Sequence, residues 1–281
     1  MTYSELMADG VRQLTDAGFS EARTDVRILL FHACGLDFMS FLRDGDLQAQ
    51  AEQEEYFRGM LARRMNHEPV QYIIGEQEFC GLRFLVQTGV LIPRPETELL
   101  AEAVFTTAKG KRVLDLCTGS GCIAVTVAKL GAPVFTAASD YSAEALAVAK
   151  KNAELQDVPV TFFHGDLFEN VEGTYDIIVS NPPYIKSKVV EELMPEVKDF
   201  EPRMALDGTE DGLLFYRRIV AEAKVFLNPG GRLMFEIGHD QGEEVSGLLY
   251  DAGYEEIEVK KDYAGLDRMV FAVWPGDNKE I

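Results

Sequence analysis

Two short stretches hold residue types whose spacing could do chemistry. The first is IIVSNPPYIKS, residues 177–187. Pro182 and Pro183 lack an N–H and have a fixed φ, and Asn181, which precedes a proline, is held extended. The Pro182 carbonyl and the Asn181 side-chain oxygen are therefore stiff acceptors with few local donors. Two converging acceptors would take an –NH2 group by both hydrogens, and Tyr184 adds a flat face for a planar group. The stretch reads as a receptor for a planar amide or an amino-substituted base. As a plain strand stop it would explain only part of the sequence. An amide nitrogen is a weak nucleophile because its lone pair is delocalised. Accepting both N–H bonds fixes it, lets it pyramidalise toward an electrophile and stabilises the positive charge that develops. Asn181, Pro182 and Tyr184 are the candidate catalytic residues, and no strong general base is required beside them.

The second stretch is LDLCTGSGCIA, residues 114–124. Gly119 and Gly121 stand where a strand must turn sharply into a helix, and with Ala124 they fit the loose pattern G-x-G-x-x-G/A. Asp140 follows about twenty residues on, as a ribose-binding acid should. The combination predicts a nucleoside-containing cofactor, NAD or S-adenosylmethionine. Asp115 lies ahead of the glycines, where a carboxylate would help a cationic ligand such as S-adenosylmethionine and repel a pyrophosphate. It could equally cap the loop's N–H groups. Asp166, in FFHGDLF, is a candidate acceptor for an adenine amino group, or else a turn residue. Arg94 and Glu96, in VLIPRPETE, could line an acceptor channel or form a salt-linked connector.

These groups need a scaffold that brings them together. Residues 112–274 alternate strand and helix, which predicts an α/β fold with a doubly wound, mostly parallel sheet. The last two strands have no helix between them and should form an antiparallel hairpin, as in methyltransferase-type sheets. For strand order 3-2-1-4-5 the ligand crevice lies between the first and fourth strands, so the glycine loop and the Asn-Pro-Pro-Tyr corner should meet there. Residues 1–75 read as a small helical domain. Met7, Val11 and Leu14 mark one helix face, and Tyr56, Phe57, Met60, Leu61 and Arg64 mark another. Gly18, Gly35 and Gly45 fall at expected helix ends. Residues 76–98 read as a β-hairpin connector turning near Cys80-Gly81, and residues 99–281 as the catalytic domain.

The formal net charge is -20, from 47 acidic and 27 basic residues. That argues against a surface that tracks nucleic-acid phosphates. Cys34, Cys80, Cys117 and Cys122 form no CxxC pair and the four histidines are scattered, so no metal site is expected. No apolar run approaches the ~18 residues of a membrane span. The start, MTYSELMADG, lacks the regions of a signal peptide. The expectation is a soluble, monomeric protein of a reducing cytoplasm, with no direct contact to nucleic acid or membrane.

Taken together, VLIPRPETE (90–98), LDLCTGSG (114–121), SNPPYI (180–185), the spaced EP, AL, DGL and YR residues of 201–219 and FEIG (235–238) resemble the release factor glutamine methyltransferases, the PrmC/HemK family. The resemblance implies a class I S-adenosylmethionine-dependent methyltransferase sheet. It implies methyl transfer to the side-chain amide nitrogen of the glutamine in the Gly-Gly-Gln tip of peptide chain release factors, in support of translation termination. It implies that an N-terminal helical domain helps to grip the release factor. By position, the cofactor would meet the backbone of Cys117, Thr118, Gly119, Ser120 and Gly121, then Asp140, Asp166, Leu167 and Asn181. The substrate glutamine would lie on Asn181, Pro182, Pro183 and Tyr184. Cys117 departs from the first glycine of many such loops, so its backbone is expected to fit without positive φ. Leu167 stands where some members carry a large aromatic, a contact expected either to be weaker here or to be remade by Phe168. The competing classes are an adenine or cytosine amino-N-methyltransferase, an NAD-dependent oxidoreductase and a non-catalytic binding module. Asp115 and NPPY weaken the oxidoreductase. The net charge weakens the nucleic-acid enzyme.

Overall fold

The computed structural model describes residues 1–276 and divides into two compact units. Residues 1–76 with 195–200 form one, and the rest of the chain forms the other.

The first unit is helical. Thr2 opens α1 (Tyr3–Asp16) with a capping box, its hydroxyl accepting the Glu5 N–H at 3.1 Å while Glu5 Oε2 accepts the Thr2 N–H at 2.8 Å. α2 (Ala22–Cys34) stops at Gly35, which takes a left-handed φ of 66°. α3 (Phe38–Asp44), α4 (Ala51–Met65) and α5 (Val70–Ile74) complete the unit. Leu6, Leu14, Val26, Leu29, Leu30, Phe57, Met60 and Leu61 form its core. Tyr56, expected on the buried stripe of α4, is 52% exposed instead. Arg64 is buried, but as a paired charge and not as part of an apolar face. Its guanidinium donates to Asp25 Oδ2 at 2.7 Å and to Glu196 Oε1 at 2.9 Å, and lies 4.3 Å from the Phe19 ring centroid. Residues 195–200 thus belong to the helical unit, although the sequence reading left them within the catalytic span of 99–281. Sequence periodicity could not show this, because contacts such as Arg64–Glu196 join residues 132 positions apart.

After α5 the chain becomes extended. β1 (Glu76–Phe79) and β2 (Leu82–Leu85) form a hairpin whose turn residues, Cys80 and Gly81, both have positive φ. α6 (Pro95–Phe105) begins at its first proline, four residues earlier than the expected domain boundary. Then β3 (Arg112–Leu116), α7 (Cys122–Leu130), β4 (Phe135–Asp140), α8 (Ala143–Leu155), β5 (Thr161–His164), β6 (Tyr175–Ser180), β7 (Leu227–Glu236), β8 (Glu255–Lys261) and β9 (Asp267–Trp274) follow. Seven strands make one sheet in the order β5-β4-β3-β6-β7-β9-β8. The first five run parallel, and β9 inserts antiparallel between β7 and β8.

The central strands are apolar on both faces because helices cover both. Leu114, Ile178, Leu233 and Phe235 pack with Tyr216, Ile219 and Leu249 of the helices Leu214–Phe226 and Gly242–Asp251. Val113, Ile177, Val179 and Met234 pack with Leu100 and Val104 of α6 and Ile123 and Val127 of α7. The strand order reverses on either side of β3. At its end Leu116 pairs with Ser139 of β4 and with Ser180 of β6. The loops that leave β3 and β6 therefore begin side by side.

The Arg64 cluster yields a stability prediction. Arg64→Ala leaves Asp25 and Glu196 without their cation, and breaking a buried pair from one side costs about 3–5 kcal/mol. Urea denaturation should show a loss of that order. An unchanged midpoint would mean that the two carboxylates are not desolvated by the fold.

Candidate active site

The loops after β3, β4, β5 and β6 surround a cavity of about 790 Å³, within the range of small-molecule sites. Cys117, Thr118, Gly119, Ser120, Asp140, Asp166, Leu167, Asn181, Pro183 and Arg94, all singled out from the sequence, lie on its wall. Asp115, Gly121, Pro182, Tyr184 and Glu96 do not.

The glycine loop leaves β3 through a series of left-handed residues, with φ of 57° at Cys117, 57° at Gly119 and 80° at Gly121. The expectation that Cys117 avoids positive φ is overturned. The loop turns there without a glycine. A Cβ at Gly119 would meet no atom within 4 Å, so the loop leaves open space above its backbone. Asp115 is buried behind this loop. Its Oδ2 accepts the Thr118 hydroxyl at 2.6 Å and the Ala124 N–H at 3.2 Å. Burial pushes its carboxyl up to about 7. Asp115 thus braces the loop, and a direct meeting with a cationic ligand is not what this geometry offers. Asn152, which sequence reasoning missed, is fully buried on α8. Its amide takes the Leu85 N–H at 2.7 Å and donates to the carbonyls of Leu85 (3.0 Å) and Ser120 (2.9 Å). It ties the segment after the hairpin to the glycine loop. Only the polarity of an asparagine in an otherwise apolar helix face could have signalled it.

Asp140 ends β4 with both carboxylate oxygens engaged, Oδ2 accepting the Gly119 N–H and Oδ1 the Ser142 N–H, each at 2.8 Å. Burial raises its pKa above the usual carboxylate value. Each oxygen keeps further lone pairs for a ligand. Asp166 is clamped by Arg218, Nη1 to Oδ1 at 3.1 Å and Nη2 to Oδ2 at 2.9 Å, and both side chains reach the wall. Leu167 lies on the wall with φ of 54°. Phe168 does not replace an aromatic there. It is buried and stacks on Phe226 with ring centroids 4.7 Å apart. The wall aromatics are Tyr141 and Phe215, neither of which stood out in the sequence.

At the corner after β6, Asn181 Nδ2 donates to Thr97 Oγ1 at 3.2 Å. Among the described residues, no protein donor is bonded to Asn181 Oδ1 or to the Pro182 carbonyl. The Tyr184 ring turns inward: its hydroxyl donates to Glu236 Oε1 at 3.4 Å and its carbonyl accepts Gln241 Nε2 at 3.1 Å. Burial raises the Tyr184 phenol above its ordinary pKa. The expected stacking face is thus not on the wall. Gly212 explains the tight fit of this corner, since a Cβ there would stand 2.4 Å from the Tyr184 carbonyl oxygen. Arg94 reaches the wall and donates to the buried Glu201 Oε1 at 2.5 Å, so it is both a lining residue and part of a salt link. Glu96 is exposed on the first turn of α6. Among the described residues no group of three or more His, Cys, Asp or Glu could hold a metal ion. No helix there is long and apolar enough to cross a membrane.

Comparison with known proteins places this site in context. Residues 95–197 match the family described as methyltransferase small domain, and residues 5–75 match the PrmC N-terminal domain. The chain is 44% identical over 259 residues to a release factor glutamine methyltransferase of Geobacter sulfurreducens, covering 92% of this chain and 91% of the relative. It is 41% identical over 261 residues to the Clostridium acetobutylicum protein of the same name, covering 90% and 91%. In fold it resembles a methyltransferase from Pyrococcus furiosus, with a TM-score of 0.55, 20% identity and coverage of 78% of this chain and 98% of that one. At 44% and 41% identity to these two relatives over about nine-tenths of its length, this chain belongs to the release factor glutamine methyltransferase family.

Proposed function

We propose that the protein transfers a methyl group from S-adenosylmethionine to the side-chain amide nitrogen of the glutamine in the Gly-Gly-Gln tip of peptide chain release factors. The observation that carries this reading is the state of Asn181. Asn181 lies on the cavity wall with its nitrogen spent on Thr97, while its oxygen takes no protein donor among the described residues. That is an acceptor waiting for an N–H. The names of the relatives favour a protein amide over a nucleobase, and so does a net charge of -20.

The wall fits the cofactor. The left-handed loop from Cys117 to Gly121 leaves room for close backbone approach, and Asp140 offers a carboxylate for a ribose diol. Leu167, Tyr141 and Phe215 offer apolar surface for a purine. When bound, S-adenosylmethionine supplies an electrophilic methyl on a sulfonium. The protein's own part is to hold the acceptor. Asn181 Oδ1, from a wall residue, and the Pro182 carbonyl, from a residue that is not on the wall, would take the two amide hydrogens and fix the nitrogen's direction. They also favour the positive charge that develops on it. Arg94 lines the cavity and is held by the buried Glu201. Residues 1–75 would recognise the release factor. Phe38, Met39 and Leu42 of α3 are exposed apolar side chains suited to that contact.

Three outcomes follow. Asn181→Ala should lower methyl transfer to release factor by roughly 10²–10³, the range for losing one preorganised polar group at a reacting centre, while calorimetric S-adenosylmethionine affinity stays. Normal turnover of radiolabel would remove Asn181 from the clamp. Asp140→Ala should weaken cofactor binding about ten- to hundredfold, since a hydrogen bond to a charged group contributes roughly 1.5–3 kcal/mol. Calorimetry showing an unchanged Kd would exclude the ribose role. Replacing Met39 and Leu42 by serine should raise KM for intact release factor by about tenfold, as for truncation of apolar anchors, with little effect on a short Gly-Gly-Gln peptide. Equal effects on both substrates would deny α3 a recognition role.

A further inference from the structure

The amide clamp needs the Asn181 oxygen, not its nitrogen, to face the acceptor. An asparagine amide is nearly symmetric in shape, and a half-turn about its last bond exchanges the two ends. The flanking prolines have no N–H with which to choose between them. The choice must come from Thr97, the partner of Asn181 Nδ2. A hydroxyl both donates and accepts, so Thr97 selects nothing unless its own hydrogen is committed elsewhere.

The group placed to commit it is Glu236, the last residue of β7. Thr97 and Glu236 are each 2% exposed. The Thr97 side chain is among the groups that favour the ionised Glu236. Glu236 Oε1 accepts the Tyr184 hydroxyl at 3.4 Å, and Oε2 is buried without a closed hydrogen bond. A buried carboxylate oxygen in that state is costly and draws the nearest donor. We propose that Glu236 is the positioning residue that sets the polarity of the acceptor clamp: it takes the Thr97 hydrogen, which leaves the Thr97 oxygen to accept Asn181 Nδ2 and turns Asn181 Oδ1 toward the substrate. The same carboxylate anchors Tyr184, so both ends of the Asn-Pro-Pro-Tyr corner rest on one acceptor-only group. The inference rests on the reading of Asn181 as the amide acceptor.

The relay works in one charge state. Protonated Glu236 can donate, Thr97 can then donate in turn, and Asn181 would present its nitrogen to the acceptor. Burial pushes the Glu236 carboxyl up to about 7. Glu96 of α6 adds to that rise, whereas Thr97, Arg268 of β9 and Tyr184 favour the ionised form and are already balanced in that value. Tyr216 and the Cys122 thiol also face it, and both are held neutral by burial. Turnover should therefore rise with pH through the Glu236 titration and level off above it.

The test uses the full chain, intact release factor and labelled S-adenosylmethionine, with kcat and KM taken from about pH 5.5 to 9. Glu236→Gln and Thr97→Val should each lower kcat by about 10- to 100-fold, the usual cost of losing a group that orients a catalytic residue. KM for release factor and the calorimetric cofactor Kd should stay within about threefold. Thr97→Ser should retain most of the turnover, and the acid limb should vanish in Glu236→Gln. A folded, cofactor-binding Glu236→Gln variant with wild-type kcat and the same acid limb would overturn the proposal. If that variant does not fold, the Thr97 pair decides, and equal kcat for the serine and valine variants would overturn it. A wild-type protein that binds cofactor but labels no release factor would remove the functional reading, and this inference with it.

Discussion

The pairing of β3 with β6 is the constraint on which the site depends. Leu116 lies opposite Ser180, and the Ser180 hydroxyl donates to the Leu116 carbonyl at 2.8 Å. Both strands end at the same level, so the cofactor loop and the amide-accepting corner open into one cavity. A slip of one residue would turn every side chain of β6 to the opposite face. Ile178 and Val179 are fully buried in the clusters on the two faces, so such a slip would have to repack both. The relative placement of two reacting groups is thus set by apolar packing far larger in energy than any contact at the site itself.

Buried polar side chains then convert this rigid sheet into rigid loops. Asp115 braces the glycine loop, Asn152 ties it to the segment after the hairpin, and Gln241 holds the corner. Gln241 Nε2 reaches the carbonyls of Tyr184 at 3.1 Å and Gly212 at 3.3 Å, while its Oε1 accepts the Gly238 N–H at 2.9 Å. Polar groups in such surroundings must be satisfied, and their bonds are directional. A loop fixed by them has few alternatives. Preorganisation of this kind matters for an amide nucleophile, which gains reactivity chiefly from being held in one orientation.

Much of this could be read from residue order. The alternation of strands and helices across 112–274 required a doubly wound sheet. That topology required the ends of its first and fourth strands to be neighbours. The prolines after Asn181 and the glycines after Leu116 are backbone instructions, and local instructions survive into the fold unchanged. Side-chain partnerships were less legible. Asp115 had two readings, a partner for a cationic ligand and a cap for the loop, and the structure shows the loop contacts, with Thr118 and Ala124, because those partners are set only once the loop has folded back over the strand end. Cys117 was expected to avoid positive φ, yet the turn there overrides its intrinsic preference. Phe168 went to the core, where Phe226 offered a stacking partner.

The amino-acid sequence by itself determined the fold class, the two motifs and their meeting at the switch in strand order, since periodicity and proline-glycine geometry are local properties. Only the tertiary structure decided which buried polar groups hold those motifs in place. Thr97, Asn152, Glu201 and Glu236 lie 84, 32, 107 and 52 residues from the partners they serve, in Asn181, Ser120, Arg94 and Tyr184. No spacing rule links such positions. They are joined by packing that exists only after the chain has folded.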